Sequence, residues 1–174
     1  MVTQSKTEWM EAQGAVAGGA ATYAEGLRAG LVGAATIALW FLAVDLIAGR
    51  PFWTPTVLGH AVFHGTGGLA EPRAIAPSLD LVLAFTWIHG LVFVLLGLLA
   101  SRLLALADRD PNYGFGILLL FVFFEVGFIV VCLVAAEPLL HALTVPAVLV
   151  GNLLAAVAMA LVFRRHRPAL TALP

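Results

Sequence analysis

The stretch that decides the fold is LRAGLVGAATIALWFLAVDLIA, residues 27–48, because it is long and apolar enough to cross a membrane. At about 1.5 Å per residue, about 20 helical residues cross the roughly 30 Å of hydrocarbon in a bilayer. Three further segments, 79–101, 115–136 and 145–163, meet the same criterion. The sequence therefore predicts an all-α membrane protein, folded as a four-helix transmembrane bundle.

The composition of the 174-residue chain also indicates a lipid environment. Hydrophobic residues make up 61% of the chain and charged residues 11%, against about 45–50% and about 25% in ordinary soluble domains. The net charge of -1 provides no field that would attract nucleic acid, so the lipid bilayer is the partner that composition indicates. The single cysteine, Cys132, excludes a disulfide within one chain and a redox thiol pair.

The positive charges fall unequally on the two sides of a four-span protein. Seven of the nine Lys and Arg side chains lie on the side that holds both termini: Lys6, Arg28, Arg102, Arg109, Arg164, Arg165 and Arg167. Only Arg50 and Arg73 lie on the other side, and this asymmetry predicts that both termini are cytoplasmic. We expect a cytoplasmic amphipathic segment over 1–26, a single transmembrane domain over 27–163 and a basic cytoplasmic tail over 164–174.

The loop between the first two spans, residues 49–78, is expected to contain a short interfacial helix around TVLGHAVFHG. His60 and His64 are four residues apart, so on a helix they share a face and can occupy two corners of a metal site. A third ligand could come from His141, Glu137 or Asp45, all near the outer surface. Because this spacing alone is also typical of solvated interfacial histidines, both interpretations stay open.

Each predicted span carries a hydrogen-bonding side chain near its midpoint. These side chains, called the polar layer below, are Thr36, His89, Glu125 and Asn152. Polar groups at that depth are costly in lipid, so they should face the bundle interior and one another. Asp45 shares the small-residue face of the first span, which includes a GxxxG at Gly26 and Gly30, and should also point inward. It could instead cap the turn that follows it or pair with Arg50.

These features leave three functional hypotheses. The sequence contains no nucleophile triad, phosphate-binding loop, dinucleotide fingerprint, CxxC or HExxH, which favours a protein that is not an enzyme. The leading hypothesis is a small inner-membrane accessory or structural subunit, which packs on a larger membrane complex or forms a homo-oligomer, with the polar layer fixing helix register. The alternatives are a proton-coupled transporter or channel using His89 and Glu125, and a membrane redox protein with a transition metal or haem on its histidines.

The runs GLRAGLVGAATIALWFLAVDLIAGRPFWTPTVLG, residues 26–59, and FGILLLFVFFEVGF, residues 115–128, carry a resemblance to a known group. They resemble uncharacterised four-helix integral membrane proteins of bacteria. The resemblance spans most of the chain and implies a location in the bacterial inner membrane. It implies no activity, because that group has no assigned activity, and no functional residues carry over from it.

Overall fold

A computed structural model describes residues 2–65, 69, 71–107 and 145–166, with side chains from residue 18 onward except at residue 145. These ranges form four α-helices and one 3-10 turn, without a strand. The helices are α1 (Val2–Ile47), α2 (Trp53–His64), α3 (Leu79–Ala107) and α4 (Val145–His166), and the 3-10 turn is Pro72–Ala74. Three helical segments, Gly18–Ile47, Leu79–Ala107 and Pro146–His166, are long and apolar enough to cross a membrane. The chain is therefore built as a helical membrane protein.

The helices extend beyond the predicted membrane spans. Helix α1 begins at Val2, whereas the first span was predicted to begin at residue 27, and α3 continues six residues past the predicted end at 101. Hydropathy marks the part of a helix that lipid covers, but a helix continues until a breaker stops it. The helix expected in the first loop is present as α2, which has 12 residues. The span predicted at 115–136 lies outside the described residues.

Helices α1 and α3 cross with their backbones in contact. A Cβ atom added at Gly97 would collide with the Gly26 carbonyl oxygen and lie 2.6 Å from the Gly30 nitrogen. At Gly26 an added Cβ would lie 2.5 Å from Ser101 Oγ, and at Gly30 it would lie 2.7 Å from Val94 Cα. As residue numbers rise along α1, the residues that they contact on α3 have falling numbers, so the two helices are antiparallel. Small residues allow this approach, which gains dispersion energy where lipid provides no hydrophobic driving force.

Helix α4 packs on a neighbouring face of α1 through larger side chains. A Cβ added at Gly33 would lie 2.7 Å from Met159 Sδ, and one added at Gly151 would lie 2.8 Å from Trp40 Cδ1. The Trp40 indole Nε1–H donates a 2.8 Å hydrogen bond to the Ala147 carbonyl oxygen. Since α4 is also antiparallel to α1, α3 and α4 run in the same direction. Ala107 and Val145 therefore lie at opposite ends of the bundle.

Residues 48–65, 69 and 71–78 cover one end of the bundle, called the loop end below. Helix α1 ends at Ile47, and Gly49 follows it with a φ of 70°. The Gly49 N–H donates to the Leu46 carbonyl and the Arg50 N–H donates to the Asp45 carbonyl. This is the Schellman arrangement, in which a left-handed glycine ends a helix. Four buried side chains then form a small apolar core at this end: Trp53, Val57, Leu69 and Val148.

The Trp40 hydrogen bond should be measurable as a stability difference. We expect Trp40→Phe to lower the free energy of unfolding by about 1 kcal/mol, because the ring remains on Gly151 but the donor to Ala147 is lost. Trp87→Phe is the matched control, since Trp87 is 74% exposed and should change stability by less than about 0.5 kcal/mol. Equilibrium unfolding in mixed micelles measures both, and equal effects would contradict the hydrogen bond.

Candidate functional site

His89, a predicted member of the polar layer, joins α3 to α1. Its Nε2 atom lies 3.3 Å from the Ala34 carbonyl oxygen, and since that oxygen only accepts, the imidazole donates. The ring is stacked against Phe85 at a centroid distance of 5.7 Å and tilted against Phe93 at 4.8 Å. The hydrogen bond and the two phenyl rings fix the position of a half-buried imidazole beside the glycine crossing.

The other described members of the polar layer lie at a similar level. Thr36 is two residues from Ala34, and Asn152 follows Gly151, which packs against Trp40 and Ile37. All three layer side chains therefore fall within about one turn of α1, or about 5 Å along its axis. The Thr36 hydroxyl donates a 2.8 Å hydrogen bond to the Val32 carbonyl of its own helix, and Asn152 is half-buried. The fourth member, Glu125, lies outside the described residues.

Asp45 lies away from this level, at the loop end, where it organises the start of α2. Asp45 is 3% exposed, and its carboxylate accepts a 2.8 Å hydrogen bond from the Thr54 N–H and a 2.6 Å hydrogen bond from the Thr54 hydroxyl. Phe52, at the N-cap of α2, has a φ of 64° and provides no side-chain cap. A carboxylate from α1 thus binds an amide in the first turn of α2, where N–H groups lack helical partners.

The two loop histidines lie side by side on α2. Their ring centroids are 4.9 Å apart, as the four-residue spacing predicts. His60 Nδ1 is buried and has no hydrogen-bond partner among the residues that the structure describes, whereas His64 is exposed. Among the described residues, no three metal-binding side chains come together. The proposed further ligands, His141 and Glu137, lie outside those residues, so the metal site remains a prediction.

Two polar contacts that sequence reasoning missed tie α2 to the segment before α3. Thr56 is fully buried, and its hydroxyl donates to the Phe52 carbonyl at 2.7 Å and accepts from the Ser78 N–H at 3.2 Å. The Trp53 Nε1–H donates a 3.1 Å hydrogen bond to the Pro72 carbonyl oxygen. Neither contact follows a sequence motif, because each joins residues about 20 apart through the loop. The threonines beside Pro55 were the available signal, since such residues favour helix starts.

Comparison with known proteins adds no family to this geometry. No protein-family model, curated protein or solved structure matches the chain.

Proposed function

We propose that this protein is a small structural or accessory subunit of a membrane-protein complex or homo-oligomer, rather than an enzyme. Its interior polar side chains hold its helices in register. The observation that carries this proposal is the hydrogen bond from His89 to the Ala34 carbonyl. An imidazole used to join two helices through a backbone acceptor acts as a fixed link. The Thr36 hydrogen bond to Val32 supports the same interpretation, because that hydroxyl is also engaged with backbone.

The surroundings of His89 favour a link over a site for chemistry. Phe85 and Phe93 lie on either side of the imidazole along α3, and large apolar rings exclude water from a polar group. The Ala34 carbonyl that accepts from His89 belongs to the same stretch of α1 as the contact between Gly30 and α3. The hydrogen bond thus fixes the rotation of α3 relative to α1 at the contact formed by their glycines.

The direction of the helices supports the four-span architecture. Since α3 and α4 are parallel, the chain between Ala107 and Val145 has to connect opposite ends of the bundle. The apolar segment 115–136 is long enough to do so as a helix, at about 1.5 Å per residue. We propose that this segment is the remaining span and that it brings Glu125 to the level of His89.

The proposed environment is the bacterial inner membrane, with both termini in the cytoplasm. The uneven distribution of Lys and Arg, seven against two, supports this orientation. Proposed partners are a larger membrane complex or further copies of this chain. Leu95 and Leu153 are examples of large apolar side chains that are 65% and 60% exposed, and they provide surface that lipid or other transmembrane helices can cover.

The link formed by His89 can be tested by removing its donor. We expect His89→Phe to lower the free energy of unfolding by about 1 kcal/mol, because the substitution keeps a ring but deletes the interhelical hydrogen bond. Thr86→Val is the matched control on the same helix, since the Thr86 hydroxyl donates only to the Val82 carbonyl of α3 at 2.6 Å. That variant should lie within about 0.5 kcal/mol of the wild type. Unfolding in mixed micelles measures both.

Transport activity would contradict the structural role. The full-length protein in liposomes with an internal pH indicator should carry no proton flux above that of empty liposomes. If flux appears and Glu125→Gln abolishes it while the fold is retained, the protein is a proton-coupled transporter. The structural proposal also requires that the protein assembles with partners or with copies of itself. It is overturned if native mass spectrometry finds a stable monomer and the liposome assay finds that this monomer carries flux.

A further inference from the structure

The described charged side chains divide unequally between the two ends of the bundle. The end opposite the loop end, called the arginine end below, has four arginines and one acid, a formal charge of +3: Arg28, Arg102, Arg164, Arg165 and Glu25. The loop end has two arginines and three acids, a formal charge of -1: Arg50, Arg73, Asp45, Glu71 and Asp80. The arginine end therefore attracts anions and the loop end does not.

The guanidinium of Arg28 contacts the imidazole of His166 on α4. Its Nη1 atom lies 3.2 Å from His166 Nε2, and because arginine can only donate, that ring nitrogen is the acceptor. The proton of the neutral ring is then on Nδ1, which donates a 2.9 Å hydrogen bond to the Val162 carbonyl. A neutral imidazole thus orients Arg28 at the α1–α4 contact and sets no negative charge against it, and Arg28 is exposed.

Two apolar side chains lie one helical turn from two of these arginines, toward the middle of the bundle. Val32 follows Arg28 on one face of α1 and is 40% exposed, and Leu161 precedes Arg165 on one face of α4 and is 50% exposed. Residues four apart on a helix are neighbours on its surface. The α1–α4 pair therefore presents exposed cations at its end and exposed apolar side chains directly beside them.

We propose that this surface, formed by Arg28, Val32, Leu161 and Arg165, binds an anionic phospholipid. The phosphate lies against the two guanidinium groups, whose planar N–H pairs match phosphate oxygens. The acyl chains lie along Val32 and Leu161. Basic clusters between transmembrane helices recognise lipid headgroups in this way. His166 is a positioning residue, which acts through Arg28.

The adjoining apolar side chains favour a lipid over a free phosphate compound. A soluble phosphate would use only the cations, whereas a phospholipid also covers Val32 and Leu161 at the depth where hydrocarbon begins. The two sources differ in one measurable respect: a soluble headgroup without acyl chains should not compete with the lipid.

Native mass spectrometry of the full-length protein in mixed micelles tests this proposal. Phosphatidylglycerol and phosphatidylcholine of matched chain length are offered together, and we expect preferential retention of phosphatidylglycerol. Arg28→Gln and Arg165→Gln should each lower its affinity about fivefold, the effect of about 1 kcal/mol per arginine near an anionic surface. Arg73→Gln is the matched control, because Arg73 is an exposed arginine at the loop end, and it should leave the affinity unchanged.

Three results would overturn the proposal. They are equal retention of the two lipids by the wild type, an equal loss of affinity in Arg73→Gln, and displacement of phosphatidylglycerol by soluble glycerol phosphate at the same concentration. The last result would assign the site to a free anion. Circular dichroism confirms that each variant is helical. Should Arg28→Gln fail to fold, Arg165→Gln alone decides, since Arg165 is exposed in the last turn of α4.

Discussion

Gly97→Ala should destabilise the protein by about 3 kcal/mol, although it adds only one methyl group. That methyl would overlap the Gly26 carbonyl oxygen and lie 2.6 Å and 2.9 Å from the Gly30 nitrogen and Cα. All three atoms belong to the backbone of α1, so no side chain can rotate away and the two helices have to separate. Overpacking of a tight core typically costs about 1–3 kcal/mol, and loss of the helix contact places this case at the upper end.

Gly90→Ala is the control, for which we expect the free energy of unfolding to stay the same or rise rather than fall. Gly90 also lies in α3, but apart from the neighbouring backbone of its own helix, no atom of the described residues would lie within 4 Å of an added Cβ there. The substitution removes the flexibility of a helical glycine and should leave stability unchanged or raise it by up to about 1 kcal/mol. Equilibrium unfolding of both variants in mixed micelles measures the difference. A Gly97→Ala variant as stable as Gly90→Ala would show that α1 and α3 do not cross at this distance.

Asp45→Ala should cost about 3 kcal/mol and should loosen α2 locally. The substitution removes a buried carboxylate that accepts from both the amide and the hydroxyl of Thr54. Hydrogen bonds to charged groups contribute about 1.5–3 kcal/mol, and buried donors left without a partner add to the loss. Hydrogen exchange should show faster exchange at Thr54 and its neighbours in the first turn of α2. Asp45→Asn keeps one acceptor oxygen, so we expect it to lower the free energy of unfolding by about half as much as Asp45→Ala.

The matched control for Asp45 is Asp80→Ala. Asp80 is also an acid at the start of a helix, in the first turn of α3, but it is exposed. Its interaction with the helix dipole is limited to about 0.3–1 kcal/mol, and exchange in α2 should stay as in the wild type. If the two substitutions have equal effects, the carboxylate of Asp45 does not cap α2.

Hydropathy and small-residue spacing predicted much of the described architecture. The segments around 27–48, 79–101 and 145–163 contain the three long apolar helices, because about 20 apolar residues have few alternatives to crossing a bilayer. The GxxxG at Gly26 and Gly30 indicated a close helix contact. The sequence did not indicate that Gly97 is opposite, because the partner of a small-residue motif depends on which helices meet.

Side-chain partners were harder to predict than depth. The sequence placed Thr36, His89 and Asn152 at one level, and the described contacts put them within about one turn. It predicted that these groups face one another, which stays a prediction, while His89 and Thr36 form hydrogen bonds with backbone carbonyls. A carbonyl oxygen has two lone pairs, so helical acceptors are available everywhere and compete with side chains. The proposed partnership between His89 and Glu125 remains a prediction.

The order of contacts along the chain has a consequence for biosynthesis. The bond between Asp45 and Thr54 spans nine residues, so it can form soon after the first span leaves the ribosome. The bonds from Trp40 to Ala147 and from Arg28 to His166 span 107 and 138 residues and must wait for the last helix. Contacts so distant in sequence form late. While translation continues, the face of α1 with Gly33 and Trp40 is uncovered, and during this interval the nascent chain is most open to pairing with a wrong helix.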